Sequence, residues 1–448
     1  MKNAVKYDHL SNVKKYVDLI DNADDLGKFL VLAARSAKTD VEMLRTLITA
    51  GADPNYFETQ TIGEHVYYVG TPLSSAVYSG NLEKAKFLLE NGATIETPKP
   101  KTGSIIHAAV NGNSDDAFLE MIQFLLSLGA DVNIENGCDG TPLSSASRDG
   151  KFETIRLLLE AEANESELGW DKLKHAIALG SVTECEAALK SGCDINERDK
   201  YWNRTPILLC ALTDDTKKAD LLFHHGASLT DRGRGEATCL MHAVRKNNHK
   251  MCEWLLSNGV DINETDDFGT TALIEAAEFG AAECVEVLLN AGADLNSETE
   301  TQGCAIENAA NFKTALILKN AGADINRIGG DGYNVLLHAT EQEDYDFVKS
   351  LLEIGADPNV TSTGNIPLHK AAWNDEIEIL KLLLKYNSNP NALDVDDETP
   401  LHRVKSVEAA QILMQAGAKP NIKNIVGQTA LDYAENDHIR TVMQSTFY

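Results

Sequence analysis

The sequence predicts an all-α solenoid, in which pairs of short antiparallel helices stack in series through short β-hairpin-like connections. Three observations predict it. A segment reading GADxN, or a close variant, recurs with its glycine at Gly51, Gly92, Gly129, Gly192, Gly226, Gly259, Gly292, Gly322, Gly355 and Gly417, with degenerate copies at Glu162 and Asn387. The successive spacings are 41, 37, 33, 30, 34, 33, 33, 30, 33, 32 and 30, so one small unit of period near 33 fills almost the whole chain. Within each unit, apolar residues follow the helical period between recognisable start and stop signals.

One unit, "TPLSSAVYSGNLEKAKFLLENGA", shows how the pattern works. Thr71 caps the first helix and Pro72 opens it, where a missing N–H costs nothing. Ala76 is small enough for close packing and Gly80 breaks the helix. A second apolar stripe through Ala85, Leu88 and Leu89 ends at Gly92, placed for a left-handed cap. The polar run after each cap turns back before the next Thr-Pro. A lone pair of such helices cannot bury its apolar face, so neighbours must stack.

These units resemble ankyrin repeats, whose T-P-L-H-x-A motif is matched by "TPLSSA" at Thr71 and Thr141, "IPLHKAA" at Ile366 and "TPLHRV" at Thr399. The resemblance implies an ankyrin-repeat α-solenoid spanning 1–448 as one domain of about 13 repeats including caps. Residues 1–29 are then an N-terminal capping unit, 30–426 the repeats and 427–448 a C-terminal half-repeat. It also implies a structural role for His369 and His402, bonding between loops. The remaining His107, His175, His242 and His338 precede a small helix residue and are expected to pack rather than bind metal, since stacked repeats hold such positions about 10 Å apart.

Irregularities fall at defined places. The first spacing exceeds 33 by 8, within "NYFETQTIGEHVYYVGTP", an aromatic finger at 56–69; the second exceeds it by 4, in "NGNSDDAFLEM". Residues 160–180 lose the cap glycine and the Thr-Pro start, which predicts a distorted junction. The 30-residue units "CAIENAANFKTALILKNAGA" and "TPLHRVKSVEAAQILMQAGA" are expected to have shortened interhelical turns.

Motifs of enzymes do not survive this register. Asp267-Phe268-Gly269 matches the magnesium-binding triplet of protein kinases but stands where a hairpin enters "TTAL", and a glycine-rich loop, a strand lysine and an H-R-D loop are missing. "DVDDET" at Asp394 to Thr399 lacks the glycine and glutamate of a calcium loop and reads as a solvated turn. The eight cysteines are scattered without a C-x-x-C pair and predict reduced, packed thiols. No cofactor, metal or catalytic residue is expected.

Charge narrows the partners. Forty Lys and Arg against 68 Asp and Glu give a net charge of −28, which opposes nucleic acid and anionic membrane and favours a basic or mixed-charge protein. The N-terminal "MKNAVKYDHLSNVKKYV" has charges where a signal peptide needs an apolar run, and no segment reaches the roughly 20 apolar residues of a membrane span, so a cytoplasmic protein, monomeric alone, is expected. From Lys250 to Lys313 no Lys, Arg or His intervenes among 13 acids, so two repeats read as uncompensated.

In ankyrin proteins, the resemblance implies, hairpin tips and first-helix ends line one concave binding face. Here those positions carry Tyr78, Arg148, Tyr201, Trp202, Arg232, Arg234, Arg245, Lys246, Asp266, Asp267, Phe268, Glu278, Phe279, Tyr333 and Trp373, to which the finger adds Tyr56, Phe57, Tyr67 and Tyr68. Aromatic and Arg side chains are common binding anchors, and about half are expected to pack against neighbours instead. The function expected is a non-enzymatic interaction scaffold. Its leading form is an immunity or antitoxin-type inhibitor of bacterial kind; a bacterial effector that docks a host protein in the host cytosol and an enzyme hidden in the array are the alternatives.

Overall fold

A computed structural model describes residues 5, 10–17, 20, 22–36, 39–62, 65–95, 104–112, 115–136, 140–299, 303–330, 332–360, 364, 366–434 and 437–444. Backbone contacts divide the chain into two units, Met1–Pro206 and Ile207–Tyr448. In the first, helix pairs such as Pro72–Tyr78 with Leu82–Glu90 and Pro142–Arg148 with Phe152–Glu160 follow one another. In the second the same arrangement recurs, for example in Cys239–Arg245 with His249–Ser257, Ala272–Glu278 with Ala282–Asn290, and Pro367–Asn374 with Ile377–Lys385.

Each pair forms for local reasons. Thr71, Thr141, Thr238 and Thr271 accept a hydrogen bond from the backbone N–H three residues on, which satisfies a donor that the first helical turn leaves open. Five residues after the cap, Ala76, Ala146, Ala243, Ala276, Ala339 and Ala371 are wholly buried, as close helix contact requires. The second helix ends in a left-handed residue at every expected cap, from Gly51 to Gly417, and Glu162 and Asn387 adopt that conformation without being glycine. Four residues before the cap, Leu88, Leu288, Leu318, Leu351, Leu383 and Leu413 are fully buried. Their carbonyls accept from the residue after the cap, so one leucine fills the core and closes the helix.

The connections are hairpin-like. Isolated antiparallel bridges join Asn136 to Gly140, Thr265 to Thr271, Thr299 to Gly303 and Lys423 to Thr429. The finger is an extended version: β1 (Glu58–Ile62) pairs antiparallel with β2 (His65–Gly70), placing Gln60 opposite Tyr67 and Thr59 opposite Tyr68. The side chains of Tyr67 and Tyr68 lie outside the described residues.

Two expectations need correction. The 30-residue units shorten the first helix and not the turn: Pro400–Arg403 is a four-residue 3-10 helix, and residues 305–308 form turns, while Phe312–Asn320 and Val407–Gln415 remain full second helices. At 160–180 the N-cap is not lost, because Asp171 replaces Thr and accepts from Lys174 N–H to open helix Lys172–Leu179.

A buried ion pair ties this region down within the first unit. Arg204, 1% exposed, donates Nε to Asp199 Oδ2 at 2.8 Å and its two other nitrogens to the Ser147 carbonyl and hydroxyl, both at 2.8 Å. Arg204 thereby satisfies acceptors near the end of helix Pro142–Arg148, 57 residues away in sequence. Arg204→Met should therefore lower unfolding free energy by about 3–5 kcal/mol, by stranding the Asp199 carboxylate, and adding Asp199→Asn should recover part of the loss; equilibrium urea denaturation of both variants measures it.

Candidate protein-binding surface

Counting from the first-helix N-cap places many of the singled-out residues in one register. Tyr78, Arg148, Arg245, Glu278 and Trp373 all lie seven residues after their caps, at the end of the first helix. The same count revises the histidines. His107 lies three residues after Ser104, the place of His369 and His402, whereas His175, His242 and His338 lie four after theirs. His107, His369 and His402 donate Nε2 to the carbonyls of Gly140, Glu398 and Gln428, the residues preceding the next repeat's cap, at 3.1, 2.8 and 3.4 Å. Burial pushes the His369 imidazole below its ordinary value, which suits a neutral bridging ring.

In the first unit the fold absorbs most of the candidates. Tyr56 lays its ring over Gly27, where an added Cβ would lie 2.2 Å from ring Cγ, so it covers helix Ala23–Arg35; Phe57 is half-buried. Arg148 donates to Asp149 and Asn111 and sits 5.9 Å from the Trp202 ring centre. Tyr201 donates its hydroxyl to Glu167. Tyr78 stays partly exposed, with the Arg35 guanidinium 5.6 Å from its ring centre.

In the second unit the acidic stretch is not uncompensated, as its sequence suggested. Cations from the flanking repeats reach in: Arg232 pairs with Glu264, Arg245 with Glu275 at 2.6 Å, Lys313 with Glu283, and Arg327 with both Glu298 and Glu307. Arg232 and Arg245 are thereby fold residues as well as surface ones. Arg234 is exposed at a hairpin tip and Lys246 half-buried at a helix end.

The Asp267-Phe268-Gly269 triplet is a turn. Asp266 Oδ1 accepts from Phe268 and Thr270 N–H, both at 2.9 Å, and Gly269 takes a φ of +76°. Asp266 is thus a turn residue, so reversing it to Lys would disturb the hairpin; Asp267 and Glu278 are exposed. Asp394 holds its hairpin in the same way, accepting from Asp396 and Glu398 N–H, and Asp261 and Asp294 turn the segment after their caps.

What the fold leaves over is apolar and lies at tips and helix ends. Phe268 is 73% exposed, Phe279 55% and Trp373 47%. Three more were missed: Val395, Ile425 and Val426 are exposed by 63–70% at hairpin tips, Val426 three residues before its cap exactly as Phe268 is before Thr271 in count. The available signal was a large apolar residue at a turn position that is elsewhere polar. Two cations lie against Trp373, Lys405 with Nζ 3.9 Å and Arg403 with Cζ 5.7 Å from the ring centre, the latter also paired with Asp394 and Glu398. A cleft of about 210 Å³ opens there, lined among others by Tyr333, Leu337, Lys370, Trp373 and Val395. Tyr333 stacks on His338 with ring centres 5.0 Å apart and donates to Glu341.

Among the described residues, burial raises the thiols of Cys239 and Cys304 above the ordinary value. The seven described cysteines are free, and burial pushes the Cys239 thiol up to about 12. No group of three or more His, Cys, Asp or Glu side chains among them could hold a metal ion. No helix among them is long and apolar enough to cross a membrane.

Glu275 is the perturbed acid. Burial raises its carboxyl to about 7, with Arg245 opposing and Asp266 and Glu278 reinforcing the shift. Its folded state holds a proton more tightly than the unfolded chain, so wild type loses stability as pH rises from about 4.5 to about 7. Relative to wild type, Glu275→Gln should gain on the order of 2–3 kcal/mol between about pH 5 and about pH 8, read from denaturation curves at both; parallel pH profiles would contradict this.

The family described as ankyrin repeats, in sets of three copies, matches at residues 30–136, 105–199, 173–266, 207–299 and 303–394. SH3 and multiple ankyrin repeat domains protein 2 of Homo sapiens is 26% identical over 220 residues, 48% of this chain and 11% of that protein. Ankyrin repeat, SAM and basic leucine zipper domain-containing protein 1 of Homo sapiens is 30% identical over 116 residues, 26% of this chain and 23% of that protein. The chain thus spans under a quarter of the length of either relative. Among solved structures, the human ASB11 ankyrin repeat domain is 26% identical at a TM-score of 0.44, covering 48% of this chain and all of that one. The matched segments take in most of the sequence, and their helix caps, hairpins and bridging histidines follow one register: the chain belongs to the ankyrin-repeat family.

Proposed function

We propose that the chain is a non-enzymatic scaffold that binds a basic or mixed-charge protein along the hairpin tips and first-helix ends of residues 207–448. The observation that carries this is the set of exposed apolar side chains, Phe268, Phe279, Trp373, Val395, Ile425 and Val426, which stand where the fold requires none. Buried contact with a partner is the physical use of such residues. The surroundings set the partner's charge: acidic near Asp267 and Glu278, cationic near Trp373 and Lys405.

Ankyrin repeats act generally as protein-binding modules, and the relatives' names record the repeats alongside other interaction domains. The net charge of −28 favours the inhibitor form of this role, in which an acidic scaffold covers a basic partner as an immunity protein does. Buried reduced thiols suit the cytoplasm, where the chain would act as a monomer until its partner arrives.

Immobilised chain should retain a discrete protein from a lysate of the source organism, identified by mass spectrometry. Phe268→Ala, Phe279→Ala and Trp373→Ala combined should lower its affinity at least about a hundredfold, since each buried anchor typically contributes more than about 1 kcal/mol. Thermal stability should hardly change, because these rings are exposed. Retention undiminished by the triple substitution would sink the proposal.

A further inference from the structure

His107, His369 and His402 bridge alike through Nε2, but their other ring nitrogens differ. The cap hydroxyl meets the ring in two of them: Ser104 Oγ lies 2.8 Å from His107 Nδ1, and Thr399 Oγ1 lies 2.9 Å from His402 Nδ1. Ile366 stands at the equivalent cap before His369 and makes no side-chain cap bond. His369 is 7% exposed, and its Nδ1 has no hydrogen-bond partner among the described residues. Isoleucine here forgoes what a threonine would give, a bond to the helix start and a bond to the ring.

What Ile366 supplies instead is apolar wall. Together with Leu337, Trp373 and Val395 it lines the cleft of about 210 Å³. Trp373 and Val395 are exposed, at a helix end and a hairpin tip. The volume lies below the roughly 300–1,000 Å³ of small-molecule pockets and suits one bulky side chain. Most charges beside it are already matched. Lys370 pairs with Glu341, and Arg403 with Asp394 and Glu398, each of the latter two at 2.9 Å. Asp396 and Asp397, on the same tip as Val395, are exposed and are not among the lining residues. Lys405 differs: it is exposed, pairs with no carboxylate among the described residues, and rests its ammonium 3.9 Å from the centre of the Trp373 ring.

We propose that this cleft takes one large apolar side chain of a protein partner, with an Asp or Glu within two residues of it whose carboxylate meets Lys405. The inference rests on the protein-binding role proposed above and gives the chemistry of one contact within it. Lys405 is no part of the wall but lies against a ring that is, and a residue of extended chain spans about 3.3–3.6 Å, so an acid near the inserted side chain reaches it. A lysine held on an aromatic face has already given up side-chain freedom, which lowers the cost of pairing. The other cations at the cleft have their carboxylates, so Lys405 is the charge left to select a partner. A partner that is basic elsewhere can carry this acidic contact, which makes it mixed in charge.

The test selects a displayed library of random short peptides on the full chain, then uses the enriched peptides, synthesised, as probes. Those that lose binding to Trp373→Ala should each carry a large apolar residue with an Asp or Glu close by. Replacing that acid by its amide should weaken binding about threefold to fivefold, and Lys405→Met should do the same. The two changes together should cost no more than either alone, as groups in contact require. Ile366→Thr restores the cap residue used at Thr71, Thr141 and Thr399, so the fold stands, yet it should lower affinity about threefold or more by making the wall polar. Peptides that need Trp373 but are indifferent to the acid and to Lys405→Met would overturn the subsite and leave the protein-binding role standing. The same holds for full binding by Ile366→Thr, and for peptides that need Phe268 or Phe279 but never Trp373. A dimer of the chain alone that Trp373→Ala dissolves would assign the cleft to a second copy and overturn the subsite too. A library with no peptide dependent on Phe268, Phe279 or Trp373 would overturn both the subsite and the role.

Discussion

Among the described residues, helix pairs within each unit receive hydrogen bonds from a repeat about one period away. The Asn of the repeated segment makes the bond on one side. Asn55 donates to the Gly92 carbonyl and accepts from Thr94 N–H, Asn391 does the same with Gly417 and Lys419, and Asn263 and Asn326 accept from Asp294 and Asp357 N–H. The histidine three residues after the cap makes it on the other, from His107 to Gly140 and from His369 to Glu398. Helix ends follow suit: Lys84, almost wholly buried, donates to the Ala33 and Ser36 carbonyls left open by the previous first helix. Since buried backbone groups must find partners, a repeat deprived of its neighbour loses both its apolar contacts and these bonds.

Ion pairs obey the same spacing, and this governs the surface. Arg232 meets Glu264, Arg245 meets Glu275 and Lys313 meets Glu283, each across roughly one repeat. These charges are thus matched in space, though not along the chain. What stays unmatched is correspondingly informative. The exposed rings of Phe268 and Phe279 stand outside these ion pairs, while Trp373 lies against Lys405 of the next repeat.

The fold was largely legible because its signals are local and repeated. Thr-Pro at a helix start, a glycine or its substitute at the left-handed cap and a buried alanine five residues after the N-cap are each readable within one unit. Even Glu162 and Asn387 hold the cap conformation that position alone predicted. The surface was less legible because its determinants pair across units. Arg148 and Trp202 look like anchors until their contact with each other is seen, and Tyr56 until its ring is found on Gly27. Counting charges along residues 250–313 missed Arg232, Arg245 and Arg327, which lie outside that window or reach into it from beyond. Arg204 gave no signal, since nothing in a hairpin Arg marks it as buried until Ser147 and Asp199 surround it.

The central claim is that each turn is held by its neighbour's side chain, and backbone hydrogen exchange tests it most directly. In wild type the Asp294 amide donates to Asn263 Oδ1 at 3.0 Å, 31 residues away in sequence. Substituting Asn263→Ala should accelerate exchange of the Asp294 amide about tenfold or more, while the core amides of helix Ala282–Asn290 keep most of their protection. Acceleration confined to the residues next to 263, with Asp294 unchanged, would contradict the account.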